Sequence, residues 1–373
     1  MQTSNIIIGG GLAGLLTAWH LEKKGLPYLL LEAKRQLGGR VLGAKSDTSA
    51  HYHDLGPTWV FPHQQGIQRL LDELDLPYDE QYTQGDALFQ KPGTQGTART
   101  AGAGVMSMYR VRGGMTRLID ALYSRLNRQN IKTSHPVIHT TRGDGCWVVT
   151  AQNDDERLTF EAHHLILALP PRMITQHLTP KHWASSGLIN DLDQVPTWMA
   201  AQAKFVSTYA SPFWRENGLS GQAFSQQGPM QEMHDACGFG VCTVTDNVDV
   251  DVDVDVDVAT SALFGFVGVP ASYRAQFTEA HIKQACLAQI EQLYGVQAAP
   301  ATAVFYKDWA ADKYVAAKRD ISESPAHPYF ALSRHQQELA QKNLYLVGSE
   351  FADTDAGYLE GAVCAVNAFI DSV

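Results

Sequence analysis

The sequence predicts an α/β chain of two domains, one a Rossmann-like, doubly wound parallel sheet assembled from separated segments, the other a mixed α+β unit. Three observations carry that prediction. Residues 6–14, IIIGGGLAG, read as a buried strand opening into a G-x-G-x-x-G turn. Glu32 closes a second apolar run, Tyr28–Leu31, at the spacing of a ribose-binding acid. After a middle region of different texture, residues 344–370 return to a strand-turn-helix pattern that should rejoin the first sheet.

Each element follows from local chemistry. Gly9 permits the tight turn, Gly11 lets a pyrophosphate approach the backbone, and Gly14 lets the next helix pack close to the strand. That helix shows Leu12, Leu15, Leu16 and Trp19 on one face, and its amino terminus favours negative charge. The unit therefore binds an adenine dinucleotide. A helix is expected from about Gly66 to Leu74. Residues 91–104, rich in Gly, Thr and Ala, read as a mobile loop. Arg112-Gly113-Gly114 opens a helix with Met115, Leu118, Ile119 and Leu122 on one face. Pro136–Thr140, Cys146–Gln152 and Leu158–Ala162 form a meander, and Leu165–Leu169 a buried strand ended by Pro170-Pro171. The middle of the chain carries Trp183, Trp198, Trp214 and Trp309 among short strands and is assigned to the substrate. The resulting division is 1–78, 108–175 and 312–373 for the discontinuous dinucleotide domain, with 79–107 and 176–311 for the substrate domain.

Composition narrows the function. The net charge is -10, of which Asp246, Asp249, Asp251, Asp253, Asp255 and Asp257 contribute six in one short tract, so the remainder offers no footprint for nucleic acid. The Val-Asp alternation at 248–258 reads as a duplicated surface hairpin loop, since like charges stacked on one face and the poor strand propensity of Asp oppose a strand; a divalent-cation site and a partner-binding edge are the alternatives. Five scattered cysteines give neither a disulfide framework nor a zinc pattern. His51, His53, His163 and His164 lack partners at metal spacing, so no metal is expected. The first strand starts within a few residues of Met1 and no apolar run approaches membrane-spanning length, which makes a cytoplasmic location and no membrane span the expectation.

Gly38-Gly39-Arg40, following the ribose acid, resembles the second fingerprint of the large FAD family that includes amine oxidases, in which the arginine pairs with the pyrophosphate. Further blocks extend the resemblance over most of the chain: DLGPTW at 54–59, RGGM at 112–115, LILALPP at 165–171, AKFVSTYASPFW at 203–214 and LYLVGSEFADTDAGYLEGAVCAV at 344–366. In this order and spacing they resemble the flavin-containing amine oxidases, the monoamine and polyamine oxidase family. The resemblance implies the amine-oxidase/glutathione-reductase-type two-domain architecture with FAD as cofactor. It implies cofactor contacts for Gly9, Gly11, Gly14, Glu32, Arg40, Gly56, Trp59 and Val137. Gly348 would let the backbone approach the cofactor, and Glu350 would sit by its ribityl chain. Lys204, ten residues before Trp214, occupies the position of the family lysine that holds a water against flavin N5; Ala201, Ala203, Phe205 and Val206 give it an apolar setting that would lower its pKa. Tyr358 matches one ring of the aromatic pair that frames the amine, and Trp309 belongs with it among the catalytic residues.

Two departures accompany the match. Aligning Trp309 and Tyr314 with their counterparts puts Arg319 where the second ring is expected, and Lys318 where some members carry a flavin-linked cysteine, so the FAD should be non-covalent. The helical insert that roofs the family's cavity is reduced to residues 79–107, leaving a more open site. The implied reaction is hydride transfer from the carbon beside an amine nitrogen to flavin N5, with molecular oxygen reduced to hydrogen peroxide. The missing ring keeps a flavin desaturase or porphyrinogen-type oxidase acting on C–C bonds in play, Arg319 keeps an L-amino-acid oxidase in play, and the trimmed roof a non-catalytic FAD-binding redox or partner protein.

Overall fold

The computed structural model describes residues 2–45, 51–93, 96–101, 107–154, 156–238, 261–295 and 300–372. The Val-Asp tract at 248–258 and Cys242 lie outside the described residues. Gln2–Ile8 is the axis of the first sheet, parallel to Tyr28–Leu31 on one side and to the second half of Glu156–Leu167 on the other. Ile131–Lys132 extends the sheet beyond Tyr28–Leu31, and Leu344–Leu346 returns to pair in parallel with Leu165–Leu167. Val137–Gly143 and Cys146–Asn153 add an antiparallel margin.

Alternate residues of the central strands serve opposite faces, which is why these runs are apolar throughout rather than patterned. Ile7, Leu30 and Ile166 face a core shared with the helices Leu12–Lys23, Gln65–Glu73, Thr116–Ser124 and Leu359–Ile370. Ile6, Ile8, Leu29, Leu31, Leu165 and Leu167 face a second core with Ile174, Leu188 and Leu192. The helix Gln65–Glu73 lacks a side-chain cap from Gln64 and takes one from elsewhere. The N–H groups of Gly66 and Ile67 donate to the two carboxylate oxygens of Glu360 at 2.9 and 2.7 Å.

Two expectations about elements are corrected. The strands read separately at 158–162 and 165–169 are one strand, Glu156–Leu167. His163 and His164 interrupt the apolar pattern, but backbone pairing continues through them, from the meander onto Gln2–Ile8 in the unbroken register Glu161↔Gln2 to Leu167↔Ile8. Within the expected loop at 91–104, Ala98–Ala101 is an edge strand paired with Asp86–Gln90. All four residues are exposed, so hydrophobic periodicity carried no trace of it; its partner strand supplies the order.

The second sheet runs Ala303–Asp308, Ala203–Tyr209, Ser261–Val267, Met230–Asp235, Leu219–Ser225, Asp86–Gln90, Ala98–Ala101. Its pairs are antiparallel except Leu219–Ser225 with Asp86–Gln90. One face packs Phe205, Leu263 and Val267 against Ile282, Cys286, Ile290 and Leu293 of the helix Glu279–Tyr294. The other face turns Val206, Ala262 and Phe264 toward Leu55 of the first domain. The helix Ser186–Gln194 packs Leu188 and Leu192 into the first sheet's core, so packing changes sheets between Gln194 and Ala203, later than the expected boundary at 176. No helix of the described residues is long and apolar enough to cross a membrane.

Candidate active site

A cavity of about 660 Å³ begins at the glycine turn and ends against the inner face of the second sheet. Of the residues singled out in the sequence, Gly9, Gly11, Glu32, Arg40, Gly56, Trp59, Val137, Lys204, Trp309, Gly348 and Tyr358 line it. Gly14 and Glu350 do not, and each has a structural task beside it.

The three glycines of the turn differ in what they allow. Gly9 has φ +106°, a conformation that favours glycine. A Cβ on Gly14 would stand 1.9 Å from the Gly9 carbonyl oxygen, so only glycine lets the helix seat on the turn. A Cβ on Gly11 would meet nothing nearer than the Gly38 carbonyl oxygen at 3.7 Å. The bare Gly11 backbone is therefore open on the cavity side, at the start of the helix Leu12–Lys23, which is the cradle a pyrophosphate requires. Glu32 is 6% exposed; its Oε2 accepts from the Gly10 N–H at 2.6 Å and its Oε1 from the Lys34 N–H at 2.8 Å. Burial raises its pKa against the pull of those two N–H groups. Each oxygen keeps acceptor capacity for a ribose hydroxyl. The residues present thus fit an adenine dinucleotide.

Glu350, expected beside the cofactor, is instead the partner of Arg40. Nη1 donates to Glu350 Oε1 at 2.5 Å, and Nη2 to Glu350 Oε2 and Ser349 Oγ, each at 3.0 Å. Glu350 is fully buried and grips the arginine instead of reaching the cavity, where its neighbours Gly348 and Ser349 stand. The guanidinium retains two N–H donors beyond those three bonds.

At the other end, Lys204 projects from Ala203–Tyr209 with its side chain 2% exposed. Nζ donates to the Gly56 carbonyl at 3.0 Å and to Thr58 Oγ1, and lies 4.3 Å from the centre of the Phe264 ring and 5.6 Å from that of Phe266. The reason given for its apolar setting is corrected: Ala203 and Phe205 point to the helix side of the sheet, and the rings around the ammonium come from the neighbouring strand. Burial lowers the Lys204 pKa, with the Asp54 carboxylate opposing; burial likewise raises that of Asp54. Trp59 and Trp309 are fixed by their indole N–H groups, to Gln81 Oε1 and to the Leu55 carbonyl, each at 2.9 Å.

Tyr358 stands among rings: Phe61 at 6.3 Å edge-on, Trp198 at 5.9 Å tilted by 42°, and His327 at 5.8 Å stacked. Trp198 lines the cavity, as does Tyr314, whereas Arg319 does not. Arg319 pairs with Asp193 and Glu323 on the surface, and Lys318 is exposed. Sequence reasoning noticed Trp198 only as a tryptophan in the middle region and missed Glu232 altogether; both line the cavity. Trp198 follows Thr197, whose N–H donates to Asp320 Oδ1 at 2.9 Å, while Arg172 donates to the same oxygen at 2.6 Å. No local pattern announces that clamp. Among the described residues no three side chains of metal-binding type converge; His51 and His53 are buried with rings 5.4 Å apart, and burial pushes His53 down to about 4.

The family model described as flavin containing amine oxidoreductase matches residues 94–365, and that of an NAD(P)-binding Rossmann-like domain matches residues 7–74. A probable flavin-containing monoamine oxidase A of Dictyostelium discoideum is 21% identical, over 96% of this chain and 94% of its own length. A solved putrescine oxidase variant superposes with a TM-score of 0.76 at 19% identity, covering 100% of this chain and 98% of that one. Cyclohexylamine oxidase from Brevibacterium oxydans IH-35A gives a TM-score of 0.77 at 16% identity, over 99% and 98% of the two chains. At these identities the two structures speak to the fold.

Proposed function

The chain belongs to the flavin-containing amine oxidoreductases and is an FAD-dependent oxidoreductase, and we propose that it is an oxidase of carbon–nitrogen bonds in a small amine. The observation that carries this reading is Lys204: a buried amine on the second sheet, aimed into the same cavity whose far end is the dinucleotide cradle. Held by these residues, FAD would supply the redox chemistry, taking the two electrons and hydrogen of the C–H bond beside nitrogen, with oxygen as the acceptor that would be reduced to hydrogen peroxide. Water then hydrolyses the iminium product to a carbonyl compound.

The residues of this chain bind, orient and tune. Gly11 and the helix behind it take the pyrophosphate, Glu32 the adenosine ribose, and Val137 the adenine side of the cavity. Arg40, preset by Glu350, offers its remaining donors to the phosphates. Lys204 holds a water or a proton beside the reacting centre, and its depressed pKa lets it switch between cation and base near neutral pH. Tyr358 and Trp198 wall the amine, and Trp309 fixes the floor by its bond to Leu55. Nothing links the flavin to the chain on this reading, since none of the described residues lining the cavity is a cysteine and Lys318 is exposed outside it; acid denaturation should release intact FAD.

Oxidation of a carbon–carbon bond loses the argument that kept it in play, because Arg319 lies outside the cavity and Trp198 stands beside Tyr358 within it. An amino-acid substrate fits less well, because Arg319 lies outside the cavity and cannot hold a carboxylate there. The test is Lys204→Met, which keeps much of the side-chain volume. It should retain FAD and slow reoxidation of the photoreduced enzyme by about 100- to 1000-fold, the scale of losing one preset electrostatic group. Unchanged stopped-flow reoxidation, together with unchanged reduction by an amine, would reduce Lys204 to packing.

A further inference from the structure

Lys204 meets the first domain through one short segment. Of the three N–H donors on its ammonium, one goes to the Gly56 carbonyl at 3.0 Å and one to Thr58 Oγ1, while the face of the Phe264 ring lies 4.3 Å away. Gly56 and Thr58 both line the cavity. They differ in what they can do with a proton. A carbonyl oxygen only accepts, so the hydrogen-bond chain through Gly56 ends there. A hydroxyl accepts with its lone pairs and still has its own O–H to give, and that of Thr58 has no second hydrogen-bond partner among the described residues.

The segment is pinned on both sides of the hydroxyl. Leu55 and Gly56 donate their N–H groups to the Leu42 carbonyl at 2.8 and 3.1 Å, and Val60 exchanges two hydrogen bonds with Tyr109 at 2.9 and 2.8 Å. A Cβ on Gly56 would stand 1.9 Å from the Arg40 carbonyl oxygen, so only glycine fits where this backbone crosses the Arg40 loop. Thr58, 4% exposed, therefore has little freedom to leave Nζ.

The charges around Nζ leave its proton loosely held. Asp54, at the head of the same segment, pulls toward the ammonium form, against burial and the Arg110 guanidinium. One oxygen of Asp54 is committed to the Met115 N–H at 2.7 Å. Across the sheet Lys204 stands in register with Lys307, whose ammonium is bound to Asp312 at 3.0 Å, and with Phe266, beyond which Glu232 contacts His234 at 2.6 Å. No side chain of the described residues other than Thr58 hydrogen-bonds to Nζ, and Thr58 also faces the cavity.

We propose that Thr58 is a further catalytic residue, the relay through which Lys204 passes its proton to a hydroperoxide anion in the cavity. One Nζ–H bond breaks as Oγ1 gains that proton, and the Oγ1–H bond breaks as its own proton passes to the anion. Lys204 ends as a neutral amine, Thr58 is again a hydroxyl, the anion becomes hydrogen peroxide, and no electrons move. The relay rests on the amine-oxidase reading only in taking molecular oxygen as the electron acceptor.

The test needs no substrate. Photoreduced holoenzyme is mixed with oxygen in a stopped-flow instrument for the wild type, Thr58→Val and Thr58→Ser. Valine matches threonine in shape and should slow reoxidation about 100-fold, the low end of what a positioned proton donor contributes, whereas serine should stay within a few-fold of wild type. In mixtures of light and heavy water the wild-type rate should fall along a bowed curve, as two protons moving together require, and the valine variant should lose the bow. Added to Lys204→Met, Thr58→Val should cost nothing further, since the two residues act as a unit. Valine at the wild-type rate, serine as slow as valine, or full additivity with Lys204→Met overturns the relay. If the valine variant fails to hold flavin, a wild-type rate indifferent to heavy water overturns it alone. Anaerobic bleaching by amines reports separately on the proposed reaction. Hydroxyl-dependent reoxidation without bleaching keeps the relay and removes amine oxidation; bleaching with hydroxyl-independent reoxidation does the reverse.

Discussion

The two ends of the cavity are built by different means. At the dinucleotide end the ligand meets backbone: bare glycines, a helix terminus and one acid at a set distance along the chain. At the second-sheet end it meets side chains lined up across strands that are far apart in sequence, Lys204, Phe266 and Glu232. A backbone cradle tolerates few residue types at each position, whereas a cross-strand row tolerates many and is specified by register. The first kind of site therefore constrains sequence locally and the second hardly at all.

The largest test of that contrast is Gly14→Val. Its Cβ would stand 1.9 Å from the Gly9 carbonyl, so turn and helix must part. We expect flavin-free protein destabilised by about 3 kcal/mol or more, read from the flavin-to-protein ratio and urea unfolding. Retained flavin would show that the backbone end is more plastic than its spacing implies.

Next comes Asp320→Ala, which joins the two regions. Asp320 takes bonds from buried Arg172 at 2.6 Å, from the Thr197 N–H at 2.9 Å and from the Ala317 N–H at 2.8 Å. Removing one partner of a buried pair costs about 3–5 kcal/mol, of which rearrangement recovers a part. Chemical denaturation should show the loss, and Trp198 fluorescence a loosened environment; unchanged stability would mean that the loop is held by other contacts.

A smaller effect concerns pH. Burial depresses the Lys204 pKa, so the group is cationic below that value and neutral above it. If the cation assists oxygen reduction, reoxidation slows as pH rises through a value well below the ordinary lysine pKa of about 10.4. Lys204→Met should flatten the profile. A step that survives in the variant belongs to another group, and Asp54, whose pKa is raised by burial, is the first to examine.

The smallest effect is Arg319→Ala. Exposed pairs with Asp193 and Glu323 contribute little, and the side chain lies outside the cavity. Turnover and melting temperature should stay within error of wild type. A change in substrate affinity would put Arg319 back at the site where sequence alignment had placed it.

Legibility followed the same division. The parallel sheet, its glycine turn and Glu32 were readable because each depends on neighbours within about thirty residues. Lys204 was readable through its motif, but its surroundings were not, since Phe264 and Phe266 arrive from another strand. Arg40 is legible in its motif, but its anchor is not: nothing local says that Glu350 will turn inward to grip it. Ala98–Ala101 was read as loop because an exposed edge strand leaves no hydrophobic period. Glu232 was invisible because a one-residue bulge decides which face it serves.

The grip of Glu350 on Arg40 also sets a timetable. The two residues are 310 positions apart. At 5–20 residues per second, about 15–60 s of synthesis separate the arginine from its carboxylate. Until then the amino-terminal turn can present its glycines, but Arg40 has no carboxylate to orient it and Gly348, Ser349 and Tyr358 have not joined the wall. On this account the full cofactor wall awaits a chain that has reached Glu350, and a ribosome stalled short of that residue would hold an amino-terminal turn whose arginine lacks its carboxylate.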